Sequence, residues 1–212
     1  MMQVTEMAFK TTLLPVTEDG AELGRSLRSW RALRRVKQMR VAELLCVSQA
    51  TISRWENGRL TPTLEEQIAI RRLLAARLDS AADHELARLV ASSGRPVHLI
   101  CDLTHRLLAL SSARARDWQG GRGDLIGQSL WRYASDELRA AEESLGDHGW
   151  YQPAPPAIEG RTGANRAQRL RIRPGRFRFT RFQLSDGSYA RLVETLSVEA
   201  DQPSASGLSR RD

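Results

Sequence analysis

From near Leu23 to about Ala91, apolar residues recur at helical spacing with only short interruptions. This predicts an all-helical region of five helices over residues 24–92, preceded by a mostly irregular arm at 1–23. Ser92-Ser93-Gly94-Arg95-Pro96 then breaks the pattern with small and turn-forming residues, and places a domain boundary there. Beyond it, Val97-His98-Leu99-Ile100-Cys101 and Arg106-Leu107-Leu108-Ala109-Leu110 form two short apolar segments around a polar turn. Residues 125–145 read as helical, and residues 169–194 alternate at period two. Arg173-Pro174-Gly175 and Ser185-Asp186-Gly187 supply the turns of two hairpins. The alternation slips between Phe179 and Phe182, which predicts a bulge near Thr180 or Arg181. The fold class is therefore α+β: a five-helix domain, then an α/β domain with an antiparallel sheet at 95–198. Residues 199–212, rich in Ser, Pro, Gly and charge, read as a disordered tail.

Within the helical region, residues 38–58 carry a compact chemical pattern. Val41, Leu45, Val47, Ile52 and Trp55 recur at helical and turn spacing and can share one small core. Ala42 is small enough for two helices to cross closely. Ser48 is a good N-cap, and Gly58 after Asn57 suits a left-handed stop. With Ile52 and Trp55 turned inward, Gln49, Ala50, Ser53 and Arg54 form one stripe on the opposite face. Such a stripe fits the major groove: Gln pairs bidentately with adenine, Arg with guanine, and an Ala methyl meets a thymine methyl. Gln38 opens the preceding helix, where its side chain and backbone N–H can hold a phosphate.

The run from Val47 to Gly58 resembles the recognition helix of the lambda-repressor-like, or XRE-type (Cro/C1-type), helix-turn-helix regulators. Pro62-Thr63-Leu64-Glu65 is similar to the start of that family's fourth helix, and Thr63 with Glu66 makes a capping box. The resemblance implies Gln49, Ala50, Ser53 and Arg54 at base edges. It implies Gln38, Ser48, Thr51 and Asn57 at phosphates. The turn position that the family fills with Gly is Cys46 here, at a cost of about 1 kcal/mol for a left-handed non-Gly residue.

Charge sharpens this reading. Residues 24–79 hold twelve Arg and Lys against five Asp and Glu, a surplus equal to the net charge of +7 of all 212 residues. A polyanion partner, double-stranded DNA, suits that concentration. No apolar run is long enough to cross a bilayer, and the N-terminus is a poor signal peptide, so a cytoplasmic protein without a membrane partner is expected. Cys46 and Cys101 form no CxxC pair and read as buried reduced thiols.

In the second domain, the stretch Asp124-Leu125-Ile126-Gly127-Gln128-Ser129-Leu130-Trp131-Arg132-Tyr133 resembles the helical part of PAS domains. The segment from His98 to Leu110 is similar to the opening hairpin of that fold, and 169–194 to its closing strands. Residues 150–168, rich in Pro, Gly and Ala, depart from the pattern. The resemblance implies dimerisation, a small-molecule ligand, or both. His98, His105 and His148 are candidate haem ligands by residue type, but none lies in a ligation motif, and packed or surface histidines are the plainer reading. An arginine row at 169–181 can touch phosphate or an acidic partner, or simply face solvent. Gly120-Gly121-Arg122-Gly123 lacks the Lys-Ser/Thr of a phosphate loop and reads as a plain loop.

No catalytic group, metal site or cofactor is called for. The expected protein is a homodimeric, bacterial-type transcriptional regulator that binds DNA, with a C-terminal domain open to a small molecule or a protein partner. Two rivals remain: a DNA-tethered adaptor with no ligand, and an enzyme that its helix-turn-helix delivers to DNA.

Overall fold

The computed structural model describes residues 20–118 and 122–199. The tail reading at 200–212, most of the arm, and Gly120 and Gly121 lie outside the described residues.

Five helices come first: α1 (Gly20–Leu33), α2 (Gln38–Leu45), α3 (Gln49–Glu56), α4 (Leu64–Leu74) and α5 (Ala81–Ser92). The strand β1 (Val97–Cys101) follows the expected break and pairs with β2 (Leu107–Leu110). Short helices α6 (Ser112–Asp117) and α7 (Arg122–Leu125), a 3-10 turn (Trp131–Tyr133) and α8 (Asp136–Ser144) come next. The strands β3 (Ile158–Thr162), β4 (Gly175–Gln183) and β5 (Tyr189–Val198) close an antiparallel sheet of order β2-β1-β5-β4-β3. This is the α+β architecture that the pattern predicts.

Leu23, Leu27, Val41, Ile52, Trp55, Ile70 and Leu74 pack into one core shared by α1 to α4. Gly24 lets α1 lie directly against α3, because a Cβ there would run into the Trp55 carbonyl. The fifth helix buries its apolar face elsewhere. Leu86, Ala87 and Val90 pack on Val97, Leu99, Cys101 and Ala109 of the sheet. Asp83 fixes its start: it caps the α5 N-terminus and accepts hydrogen bonds from Ser185 in the β4–β5 turn. These bonds, led by the one from the Ser185 hydroxyl, hold the Asp83 carboxyl well below the usual carboxylate range.

Four local expectations are corrected. First, 125–145 is not one helix. Gly127, at φ +82°, donates to Leu107 O, and Leu107 N donates to Gln128 O, so the chain runs beside β2 instead. A new helix starts only where the Ser135 hydroxyl caps α8. Second, 169–173 is not a strand, and Arg173-Pro174-Gly175 is not a tight hairpin turn. The Asn165 side chain bonds Leu170 O and Ile172 N at 2.8 Å each, taking the hydrogen bonds a ladder would use. The pairing partner of β4 is Ile158–Thr162, within the segment that departs from the PAS pattern. Third, the register shifts between Arg176 and Phe177, not at Thr180 or Arg181. The slip in apolar phase has another cause, since the sheet is covered on both faces. Phe177 and Phe179 pack with Leu145 and Trp150, whereas Phe182 lies opposite Ala190 on the α5 face. Fourth, Cys46 is exposed, while Cys101 is buried.

Candidate nucleic-acid interface

The α2–turn–α3 unit is fixed by local chemistry. Cys46 takes the left-handed conformation (φ 54°, ψ 40°) that its place in the turn requires, and its N–H bonds Ala42 and Glu43 carbonyls. The Ser48 hydroxyl accepts from Thr51 N at 3.1 Å and exchanges a hydrogen bond with the Thr51 hydroxyl at 2.8 Å. Ile52 and Trp55 are fully buried. This leaves Gln49, Ala50 and Arg54 exposed and Ser53 half-buried on the outer face of α3. All four residues predicted for base edges therefore share one accessible stripe. Asn57, at the C-cap, is exposed, with its amide 3.5 Å from the Ser53 hydroxyl.

Gln38 is placed differently from the rest. Its amide Nε2 donates to Glu56 Oε2 at 2.9 Å. Glu56 is buried and also accepts two hydrogen bonds from Arg31, at 2.8 and 2.9 Å. Burial alone would push the Glu56 carboxyl up, but the bonds from Arg31 and Gln38 outweigh it and hold the group below its ordinary value. The network ties the ends of α1 and α3 to the start of α2, and so sets the angle at which the stripe is presented. What Gln38 has left for a phosphate is chiefly the backbone N–H at the head of α2. Sequence reasoning missed this role, because Arg31 and Glu56 are far apart in the chain and neither sits on an apolar period.

The second domain holds a cavity of about 140 Å³ between the sheet and helices α6 and α8. Arg191 and Glu142 in its lining belong to a buried charge cluster. Arg191 donates to Asp102 Oδ1 at 2.7 Å and to both oxygens of Glu142, and Trp150 Nε1 donates to Asp102 at 3.2 Å. Burial and the nearby Glu142 and Asp102 charges push the Tyr151 hydroxyl up to about 12. Nothing in the period-two pattern announces Asp102 and Arg191, since each interrupts an apolar strand end.

Of the three candidate histidines, His98 and His105 line the cavity. Burial, with help from the Arg114 charge, pushes His98 well below its ordinary value and keeps it neutral. His105 stacks on Trp131 at 4.5 Å and faces Glu142 at 3.4 Å. His148 is exposed, its Nδ1 2.8 Å from Ser144 O. Among the described residues, no group of three or more His, Cys, Asp or Glu is placed to hold a metal ion. Cys101 is a core thiol, in contact with Ala76 N and Leu74 O. On β4, Arg176 and Arg178 both pair with Glu159, which neutralises part of the arginine row. Among the described residues, no helix is long and apolar enough to cross a membrane.

Comparison with known proteins finds a family model described as a helix-turn-helix domain, matching residues 22–89. No curated protein matches the chain. Solved structures similar to it include a PAS domain of an HTR-like protein from Haloarcula marismortui, at 10% identity and TM-score 0.40, covering 54% of this chain and 89% of that one. Another is an RNA-binding light-oxygen-voltage receptor, at 11% identity and TM-score 0.39, covering 83% of this chain and 58% of that one. A third is a quorum-sensing receptor PAS domain from Cronobacter turicensis in complex with C12:0, at 9% identity and TM-score 0.35, covering 51% of this chain and 99% of that one.

Proposed function

We propose that the chain is a sequence-specific, DNA-binding transcriptional regulator that reads the major groove with α3. The observation that carries this reading is the one-sided outer face of α3: Gln49, Ala50, Ser53 and Arg54 accessible together over a buried Ile52–Trp55 underside. Arg54 and Gln49 supply bidentate base contacts, and Ala50 and Ser53 smaller ones. Ser48, Thr51, Asn57 and the backbone at Gln38 hold phosphates on either side and fix the register. One recognition helix buries little surface, so the protein acts as a homodimer on two half-sites. The C-terminal domain is a PAS-like module that supplies dimerisation, ligand sensing or both. Its opening hairpin, intervening helices and three closing strands support this.

The surplus of twelve basic over five acidic residues at 24–79 makes the binding electrostatic. Affinity of the full chain for duplex DNA is expected to fall steeply with salt, each neutralised phosphate adding roughly −0.9 to the log–log slope. Fluorescence anisotropy at a series of salt concentrations measures it. A flat response would rule out this docking mode.

A further inference from the structure

The cavity of the second domain is mostly apolar, with walls that include Ile100, Trp118, Leu170, Ile172, Phe177 and Val193. Two polar residues at its rim, His98 and Arg114, are buried. Trp118 joins them: its ring meets His98 edge-on at 4.9 Å and lies 5.4 Å from the Arg114 guanidinium carbon. Arg114 Nη2 donates to Pro96 O and Thr195 Oγ1, both neutral acceptors. The carboxylate paired with it, Asp117, stays 3.9 Å from Nη1. Arg114 Nε and His98 Nδ1 are both buried with no hydrogen-bond partner among the described residues.

A buried guanidinium normally finds a close carboxylate, because the desolvation of the charge is otherwise uncompensated. The contrast within this domain is direct. Arg191, more deeply buried still, is held by two carboxylates at hydrogen-bond distance, and its pKa is raised. Arg114 has none that close, and burial lowers its pKa to about 10. The hydrogen-bonded carboxylate that Arg114 lacks is one a ligand can bring.

We propose that this cavity binds a small carboxylic acid with a compact apolar body. The ligand carboxylate sits on Arg114 with a hydrogen bond from neutral His98, and its body lies against Trp118, Ile172 and Val193. Size selects among such acids. A dry apolar cavity of ~150 Å³ takes a benzene-sized guest, and the cavity here measures about 140 Å³. A benzoate-sized acid fits that volume. The proposal deepens the ligand-sensing reading of the PAS-like domain and rests on it.

The test is calorimetric titration of the full chain with sodium benzoate and, separately, with benzyl alcohol, its neutral near-isostere. The expected result is saturable benzoate binding about tenfold or more tighter than benzyl alcohol, the size of one charge-assisted hydrogen-bonded pair. In Arg114→Gln, checked for its fold by circular dichroism, the two probes should bind alike. If that variant does not fold, the wild-type comparison still decides. Equal affinity for the two probes overturns the proposal, as does no binding of benzoate. A benzoate preference that survives Arg114→Gln overturns it as well. The titration contains no DNA. A null result beside intact DNA binding therefore fails the ligand assignment alone, and a failure to bind DNA leaves the titration interpretable.

Discussion

Replacing Arg191 by Leu is expected to cost the fold about 3–5 kcal/mol at neutral pH, the loss typical of breaking a buried ion pair from one side. The guanidinium side chain is 2% exposed, against 0% for Asp102 and 18% for Glu142. Leucine would keep most of the volume but leave two carboxylates facing each other without their cation. The effect carries a pH signature. In the native protein burial opposes ionisation of Glu142, but the charges of Arg191 and His105 outweigh it and hold the carboxyl well below its ordinary value. A group depressed in the folded state contributes stability above its unfolded pKa, and loses it as pH falls toward the folded pKa. The native protein thus weakens below about pH 4.5, the ordinary glutamate value. The variant moves the other way: without Arg191, burial raises Glu142, and a proton taken up by the folded state relieves the repulsion. Urea melts across the acid range should show the gap between the two proteins narrowing as pH falls. A gap under about 1 kcal/mol at pH 7, the scale of a surface pair, or one that ignores pH, would contradict the assignment of these charges.

Trp55→Ala is expected to cost about 3–5 kcal/mol, through lost burial and the cavity left behind. Trp55 is fully buried: Leu27, Val41, Ala42 and Ile52 share its core. Its backbone carbonyl is also the surface on which Gly24 seats α1, so helices α1 and α3 should loosen together. The sheet domain shares its Leu99 core with α5 and has further cores around Leu107 and Phe177 that α1 to α4 do not enter. Thermal unfolding should therefore lose the helical signal first, with the sheet domain melting near its native temperature. A variant that melts as one unit at the wild-type temperature would show that Trp55 does not hold the helical core.

Much of this was legible in the sequence because the signals were local. Ser48, Thr63 and Glu66 announce helix starts by residue type and spacing, and the structure shows each cap in place. The stripe of Gln49, Ala50, Ser53 and Arg54 follows from turning Ile52 and Trp55 inward, which is geometry within one helix. What was illegible depends on tertiary partners. The amide of Gln38 goes to Glu56 because Arg31 brings that carboxylate beneath it, a meeting of three helices. Leu170 and Ile172 point inward as a strand would, yet Asn165 takes their backbone bonds. Strand β3 offers only Ile158 as an apolar residue, with Gly160 pressed against the Phe177 ring, so its alternation is silent in sequence. The two-sided burial of β4 and the Arg191 cluster were hidden for the same reason: each needs α5 or α8 in position.

The central claim is that the outer face of α3 reads bases, and selection from a randomised duplex library tests it most directly. The wild-type chain, Arg54→Ala and Gln38→Ala would each be selected, with melts alongside to show that both variants stay folded. Arg54→Ala should lose about 1–3 kcal/mol on the preferred site and relax the base choice at one position per half-site. Gln38→Ala keeps its backbone N–H but takes one donor from Glu56, so it should weaken all sequences alike by loosening the seat of α2 against α3. If Arg54→Ala keeps the wild-type base preference at every position, the recognition face proposed for α3 is wrong.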